Sequence, residues 1–177
     1  MRKLPKIINR EEFEQLLKAV PKVKRINPKT KKQYQLAMLL GFEAGMRISE
    51  IVGFNDVVPP LSPEQITEGS IKIVSGKGQK DRIVPRPKRL NEEAIKMLPL
   101  KIKRRALQHF IKMLGMKILN KEISFHTLRH GFGSHLAGNG MPLHMVQQLM
   151  GHSRLDTTGI YLHANPKEAL EKAGELF

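Results

Sequence analysis

One short stretch of the chain carries the clear β-prone sequence, and this limits how much sheet the fold can contain. Ile71–Val74 and Arg82–Val84 are β-prone runs, and Gly76–Asp81 between them supplies the glycines that a hairpin turn requires. After Asn91 the sequence has a helical pattern. It therefore predicts a mainly α-helical fold with a small antiparallel β-hairpin, and its 177 residues fit one domain.

Helical spacing of apolar residues and capping signals give the order of the other elements. Asn9 lies three residues ahead of Glu12 and caps a helix that should run to Pro21. A basic connector over 22–32 follows, and then a central buried helix from Gln33 to about Gly45. We expect a loop with a turn of helix over 55–69. The other predicted helices span 48–52, 91–98, 101–115, 125–138, 142–150, 154–162 and 166–175.

The charge balance indicates a polyanionic partner. The chain has 31 Lys and Arg residues against 16 Asp and Glu, a net formal charge of +15. Basic groups set against phosphates release counterions and add affinity that does not depend on base sequence. A generic basic surface is the alternative. Because aromatic residues make up only 5% of the chain and tryptophan is absent, a stacking surface for single strands has little support, which favours double-stranded DNA.

The chain contains no cysteine, which excludes disulfides, thiolate nucleophiles and cysteine-based zinc sites. No apolar run approaches the roughly 20 residues that a membrane-spanning helix needs, and no signal peptide is visible. The sequence therefore predicts a soluble, cytoplasmic protein with no membrane partner.

A helix through residues 125–138 presents a candidate anion site. A step of about 100° per residue gathers His126, Arg129, His130 and Gly133 on one side, and leaves His135 on the apolar side as a core residue. The planar fork of Arg129 suits a phosphoryl group, and Gly133 would leave room for a sugar-phosphate backbone. In the alternative interpretation, His126 and His130 are an incidental pair without a function. A zinc site is disfavoured because no third ligand accompanies them.

Tyr161 is the candidate nucleophile. Gly151 ends a predicted helix, His152 follows it, and Tyr161 lies nine residues beyond His152. The other tyrosine, Tyr34, is predicted to be buried in the central helix. A phenol with an ordinary pKa of about 10 needs a base or cationic neighbours to become a nucleophile. On spacing alone, a tyrosine late in an amphipathic helix is also typical of packing, and both interpretations stay open.

Five short motifs, in order along nearly the whole chain, resemble the catalytic motifs of tyrosine recombinases, most closely those of the Xer and phage-integrase type. Five motifs in the right order are far more specific than any one of them. They are Gly45-Met46-Arg47-Ile48-Ser49-Glu50, Gly76-Lys77-Gly78, His126-Thr127-Leu128-Arg129-His130, Leu149-Met150-Gly151-His152-Ser153 and Thr157-Thr158-Gly159-Ile160-Tyr161.

The resemblance implies site-specific DNA recombination, with a 3′-phosphotyrosyl intermediate and a free 5′-hydroxyl, and it implies no metal and no cofactor. Arg47 and Arg129 would clamp the scissile phosphate, and Tyr161 would be the nucleophile. Lys77 would protonate the leaving oxygen; alternatively, it simply contacts phosphates. The implied catalytic residues are Arg47, Lys77, His126, Arg129, His152 and Tyr161, and the implied DNA-binding residues are Lys80 and Arg82.

The resemblance also carries expectations about organisation. Residues 1–177 would form a single catalytic domain, and the N-terminal DNA-clamping domain of the family has no counterpart, so we expect a fragment or a minimal protein. The full-length protein would act as a tetramer on paired DNA sites, and a fragment as a monomer or dimer. The tail helix over 164–177 would dock on a neighbouring protomer or on its own domain. A type IB topoisomerase and a non-catalytic DNA-binding regulator are the alternative functions.

Overall fold

The computed structural model describes residues 7–74, 81–151 and 166–177, and in these ranges it is mainly helical with one two-stranded sheet. This arrangement confirms the predicted fold class. In the described ranges, no helix is long and apolar enough to cross a bilayer. The helices are α1 Arg10–Ala19, α2 Pro28–Glu43, α3 Ile48–Val52, α4 Glu92–Ile95, α5 Arg104–Leu119, α6 Phe125–Gly138, α7 Leu143–Met150 and α8 Pro166–Leu176.

The sheet is the predicted hairpin. Strands β1 (Ser70–Ile73) and β2 (Arg82–Pro85) pair antiparallel, with Ile71 opposite Val84 and Ile73 opposite Arg82. Side chains alternate between the two faces of a strand. Val84 is buried whereas Ile83 is 44% exposed, so the inward face of β2 carries Val84 and Arg82.

The N-terminal helices follow the capping signals. In α1, the side chain of Asn9 accepts from the backbone N–H of Glu12, as predicted, and the helix ends at Ala19 before a 3-10 turn over Val20–Lys22. The predicted start of the central helix at Gln33 was wrong. Helix α2 begins at Pro28 because the side chain of Asn27 caps it and proline suits the first helical position, so residues 28–32 are its first turn and a half.

Elements after the hairpin differ from the predictions mainly at their ends. Helix α6 has the predicted bounds, while α4 is shorter than the predicted 91–98. Helix α5 continues past Gly115, where a break was predicted, since Ile118 and Leu119 extend the face that packs on the core. It ends at Leu119, and the next residue, Asn120, has a φ of 51° in the left-handed region.

Helix α6 lies between two hydrophobic clusters. Its first turns pack with α2 and the N-terminal elements, and Tyr34 of α2 is buried against Phe110, as predicted. Its later turns pack with α7 and α8 around Phe132 and the fully buried Ala173. Phe177, after α8, stacks on Phe132 with ring centroids 5.7 Å apart. Helix α8 therefore packs on its own domain in this single chain, and exchange between protomers stays a prediction.

Candidate active site

Arg47 is placed at the junction of α2 and α3. It is the residue before the first turn of α3, and its backbone N–H donates to Oε2 of Glu50 at 2.6 Å, so the carboxylate caps this helix. Its Nη1 donates to Oε1 of Glu50 at 2.9 Å, and its Nη2 donates to the carbonyl oxygen of Gly151 at 3.0 Å. The side chain is 27% exposed, so Arg47 is held by the protein and still reaches solvent.

Arg129 lies one turn into α6 and is buried. Its two terminal nitrogens donate to the carbonyl oxygens of Gly45 and Met150. One prediction about this helix face was wrong. A Cβ added at Gly133 would lie 2.6 Å from the sulfur of Met150, so this glycine lets α7 approach α6 rather than leaving room for DNA.

Arg82 points inward from β2, and its side chain is only 8% exposed. Its Nη1 and Nη2 donate to Oε1 and Oε2 of Glu50, at 2.6 Å and 2.9 Å. Its Nε donates to the carbonyl oxygen of Leu149 at 3.0 Å. The carboxylate of Glu50 therefore binds two guanidinium groups, those of Arg82 and Arg47.

Three consecutive carbonyl groups at the end of α7 accept from three different arginines. The last carbonyls of a helix have no partner within it and carry the negative end of its dipole, so they favour cations. The predicted phosphate clamp of Arg47 and Arg129 thus converges on one helix end. The donor and acceptor pairs are Arg82 with Leu149, Arg129 with Met150, and Arg47 with Gly151.

The described part of this cluster contains three guanidinium groups and one carboxylate, so positive charge is in excess. Burial lowers the pKa of Arg129 to about 9, and the nearby charges of Arg47 and Arg82 contribute, while Glu50 opposes them. The group stays cationic at neutral pH. An anion that entered the cluster would relieve this repulsion, and the cluster is therefore suited to a phosphate group.

Glu50 is ionised within the same cluster. Burial alone would raise the pKa of its carboxyl, but hydrogen bonds and charge from Arg82, followed by hydrogen bonds from Arg47, lower it below the ordinary value of 4.5. A depressed pKa means that the carboxylate stabilises the fold at neutral pH, and that this contribution is lost as the pH falls through the folded-state pKa.

His126 lies in the first turn of α6, at the exposed edge of the cluster. Partial burial of its ring lowers its pKa, and so do the charges of His130, Arg129 and Arg47. The imidazole is therefore close enough to both arginines to be repelled by them when protonated.

Among the described residues, no three carboxylate or imidazole side chains form a group that could hold a metal ion. His126 and His130 line an open groove of about 510 Å³ together with Gln108, Lys112, Glu122 and Ser124.

The structure therefore brings together four of the predicted site residues: Arg47, Arg82, Arg129 and His126. Lys77, Lys80, His152 and Tyr161 lie outside the described residues. The sequence reasoning missed Glu50, although a glutamate three residues after a helix cap is a known capping signal. It also missed that Arg82 points inward, which the alternation with Val84 indicates.

Comparisons with known proteins agree with this geometry. Residues 99–168 match the phage integrase family. The chain is 34% identical to tyrosine recombinase XerA of Thermococcus kodakarensis, with 98% of the chain and 63% of that relative covered. It is 31% identical to tyrosine recombinase XerD of Staphylococcus aureus, with 94% of the chain and 61% of that relative covered. The chain thus spans less than two thirds of the length of these relatives.

Solved structures give the same fold. The integrase from mycobacterium phage Brujita superimposes with a TM-score of 0.71 at 23% identity, covering 100% of this chain and 60% of that one. The XerH site-specific recombinase, in a pre-cleavage complex with its difH substrate, gives a TM-score of 0.64 at 26% identity, covering 97% of this chain and 54% of that one. These matches confirm the predicted resemblance.

Proposed function

Because residues 99–168 match the phage integrase family and 98% of the chain is similar to a tyrosine recombinase, we propose that the chain belongs to this family and that it cuts and rejoins strands of double-stranded DNA in site-specific recombination. The observation that carries the proposal is the convergence of Arg47 and Arg129 on adjacent carbonyls at the end of α7. Each guanidinium has five N–H donors, and the described contacts of Arg129 engage two of them. Arg129 therefore has further N–H donors that could bind a phosphate.

The reaction starts with Tyr161. Its phenolate attacks the scissile phosphorus, a bond forms between the phenolic oxygen and phosphorus, and the bond from phosphorus to the 5′-oxygen breaks. A phenolate and a phosphodiester together carry two negative charges in the transition state. The excess positive charge around Arg47 and Arg129 supports stabilisation of that state, with His126 and His152 as further donors.

Lys77 supplies the proton that the departing 5′-oxygen needs. An alkoxide is a poor leaving group, and an ammonium whose pKa is depressed by neighbouring cations is a suitable general acid. The products are a 3′-phosphotyrosyl bond and a free 5′-hydroxyl. Because one phosphoester replaces another, a 5′-hydroxyl from a second strand can reverse the reaction without a high-energy cofactor.

Double-stranded DNA is the proposed substrate, and the net charge of +15 supports it. Lys80, near the predicted turn, is a proposed phosphate contact. Exchange of strands between two duplexes requires more than one active site. We therefore propose that several protomers act together on paired DNA sites, and that the full-length protein acts as a tetramer.

A strand-joining assay tests this function. The chain is incubated with a pool of nicked duplexes that carry randomised sequence, together with a labelled second duplex that has a free 5′-hydroxyl. We expect covalent protein–DNA adducts and hybrid strands that join the two duplexes, and neither product with Tyr161→Phe. In a parallel incubation with supercoiled plasmid, relaxation without joining of the duplexes would identify a type IB topoisomerase. DNA binding without adducts would identify a non-catalytic regulator.

A further inference from the structure

Arg82 occupies a structural position unlike that of a residue that contacts DNA. It is the first residue of β2, the strand that follows the predicted hairpin turn with Lys77, and its side chain is 8% exposed. All three guanidinium nitrogens donate to protein acceptors, two of them to Glu50 and one to the carbonyl of Leu149. The side chain thus ties β2 to α3 and to the end of α7.

The contact with Glu50 extends to the proposed phosphate clamp. The carboxylate that receives Arg82 also accepts from the backbone N–H of Arg47 at 2.6 Å and from its Nη1 at 2.9 Å. With Arg82 present, the negative charge of Glu50 is shared by two cations. Without Arg82, the carboxylate of Glu50 would lose the two hydrogen bonds that fix its position, and Arg47, which donates to the same carboxylate, would lose its fixed orientation.

The contact with Leu149 fixes the other half of the site. Gly151, two residues later, has a φ of 59°, and a Cβ on it would lie 2.6 Å from Cδ of Arg82. The arginine therefore packs directly on the residue that precedes His152 in the sequence. Its guanidinium contacts set the position of the carbonyl row to which Arg47 and Arg129 also donate.

Resting on the function proposed above, we propose that Arg82 is a positioning residue for DNA cleavage. It holds Glu50, and through Glu50 it orients Arg47. It also fixes the end of α7 against β2. A lysine cannot reproduce this role, because one ammonium cannot make a paired contact to a carboxylate and a third bond to a carbonyl in the fixed directions of a guanidinium.

The test compares Arg82→Gln and Arg82→Lys with the wild-type chain. Two quantities are measured: the dissociation constant for a nicked duplex substrate, and the single-turnover rate of adduct formation at saturating protein. We expect the dissociation constant to stay within about threefold, the rate to fall on the order of 10²-fold for Arg82→Gln, and a smaller fall for Arg82→Lys. Weaker DNA binding with an unchanged rate in the bound complex would make Arg82 a DNA contact and would overturn the proposal.

Arg86→Gln is the matched control. Arg86 follows the same strand at its other end and likewise donates to a backbone carbonyl, that of Leu90 at 2.8 Å, and to a carboxylate, that of Glu92 at 3.5 Å. In the described part of the chain, none of its hydrogen bonds reaches Glu50 or the end of α7. We expect this variant to cleave at the wild-type rate once folded, and an equal loss in both variants would contradict a specific role for Arg82.

The pH profile separates positioning from a merely structural role. Among the described residues, the charged groups around Glu50 are Arg47 at the start of its own helix, Arg82 from β2 and Arg129 from α6. Removing Arg82 removes the largest effect that lowers the Glu50 pKa, while burial still raises it. In Arg82→Gln the carboxylate is therefore protonated at a higher pH, and cleavage should be lost on acidification at a higher pH than in the wild type.

If Arg82→Gln does not fold, the double variant that combines Glu50→Gln with Arg82→Gln replaces it. This double variant leaves no buried carboxylate without its partner. We expect its cleavage rate to equal that of Glu50→Gln alone, since both residues act on Arg47 as one unit. Additive losses would overturn the proposal. A wild-type chain that forms no adduct overturns the proposed function and this inference, whereas a wild-type rate in Arg82→Gln overturns this inference alone.

Discussion

Arg47 and Arg129 donate to the carbonyl oxygens of adjacent residues, Gly151 and Met150, although they belong to different helices. Both guanidinium groups are held by backbone atoms of a single helix end before any substrate is present. Donors fixed in this way cost little reorganisation when charge develops on a phosphate. The site is therefore organised by the fold, and the following outcomes are expected from it.

Arg129→Lys should abolish most cleavage while leaving DNA affinity nearly intact. The three donors of an ammonium share one nitrogen, so they cannot span the carbonyls of Gly45 and Met150 and a phosphate as the separate nitrogens of a guanidinium do. DNA affinity, in contrast, comes from many basic groups. We expect a loss of roughly 10²–10³-fold in the single-turnover rate. Arg25→Lys, at an exposed position, is the control and should cleave normally. Wild-type cleavage by a folded Arg129→Lys chain would rule out its role in the clamp.

His126 should titrate below its ordinary pKa of 6.5, because partial burial and the charges of His130, Arg129 and Arg47 disfavour the imidazolium. The ring is then neutral at pH 7 and gains a proton only in more acidic solution. Two-dimensional NMR of the imidazole resonances, assigned with His126→Gln, measures this. A bound duplex should raise the midpoint, since a phosphate opposes the arginines. A midpoint at or above 6.5 in the free protein would contradict the described electrostatics.

Lys77→Ala should lose cleavage on ordinary DNA and recover most of it on a substrate with a 5′-thiol leaving group. A thiolate departs without protonation, so a missing general acid no longer matters. The measurement is the ratio of cleavage rates on the oxygen and sulfur substrates for the wild type and the variant. Equal defects on both substrates would make Lys77 a phosphate contact instead.

Gly151→Ala should destabilise the fold and slow cleavage. The φ of 59° is costly for a residue with a side chain, and the new Cβ would meet Cδ of Arg82 at 2.6 Å. We expect a loss of roughly 1–3 kcal/mol in the free energy of unfolding, measured by urea denaturation. Gly138→Ala is the control, since its Cβ would meet nothing within 4 Å. Equal stability of the two variants would mean that the left-handed turn is not required.

The sequence predicted those parts of the fold that have a local signal. The capping pair of Asn9 and Glu12, the antiparallel hairpin and the bounds of α6 all follow from signals within short stretches of sequence. The predicted start of α2 was wrong because the basic residues after Pro28 resemble a solvated connector. The local signal for the true start is Asn27, the residue that caps the helix. Helix ends that depend on packing, such as that of α5, have no local signal.

The candidate site was predictable in its residue types and not in its contacts. The motifs identified Arg47, His126 and Arg129, which the structure brings to one cluster. That three arginines bond successive carbonyls is a tertiary relationship between β2, α3, α6 and the end of α7, and no spacing in the sequence encodes it. The inward position of Arg82 was encoded by the alternation of β2, although a DNA contact was predicted at this residue.

The role of Tyr161 is tested by identifying the residue that becomes attached to DNA. Adducts formed on nicked duplex are digested with protease and nuclease, and the nucleotide-bearing peptide is sequenced by mass spectrometry. We expect a phosphodiester from Tyr161 to a 3′-nucleotide, and no adduct with Tyr161→Phe. Attachment at another residue, such as Tyr34, or an adduct formed by Tyr161→Phe, would contradict it.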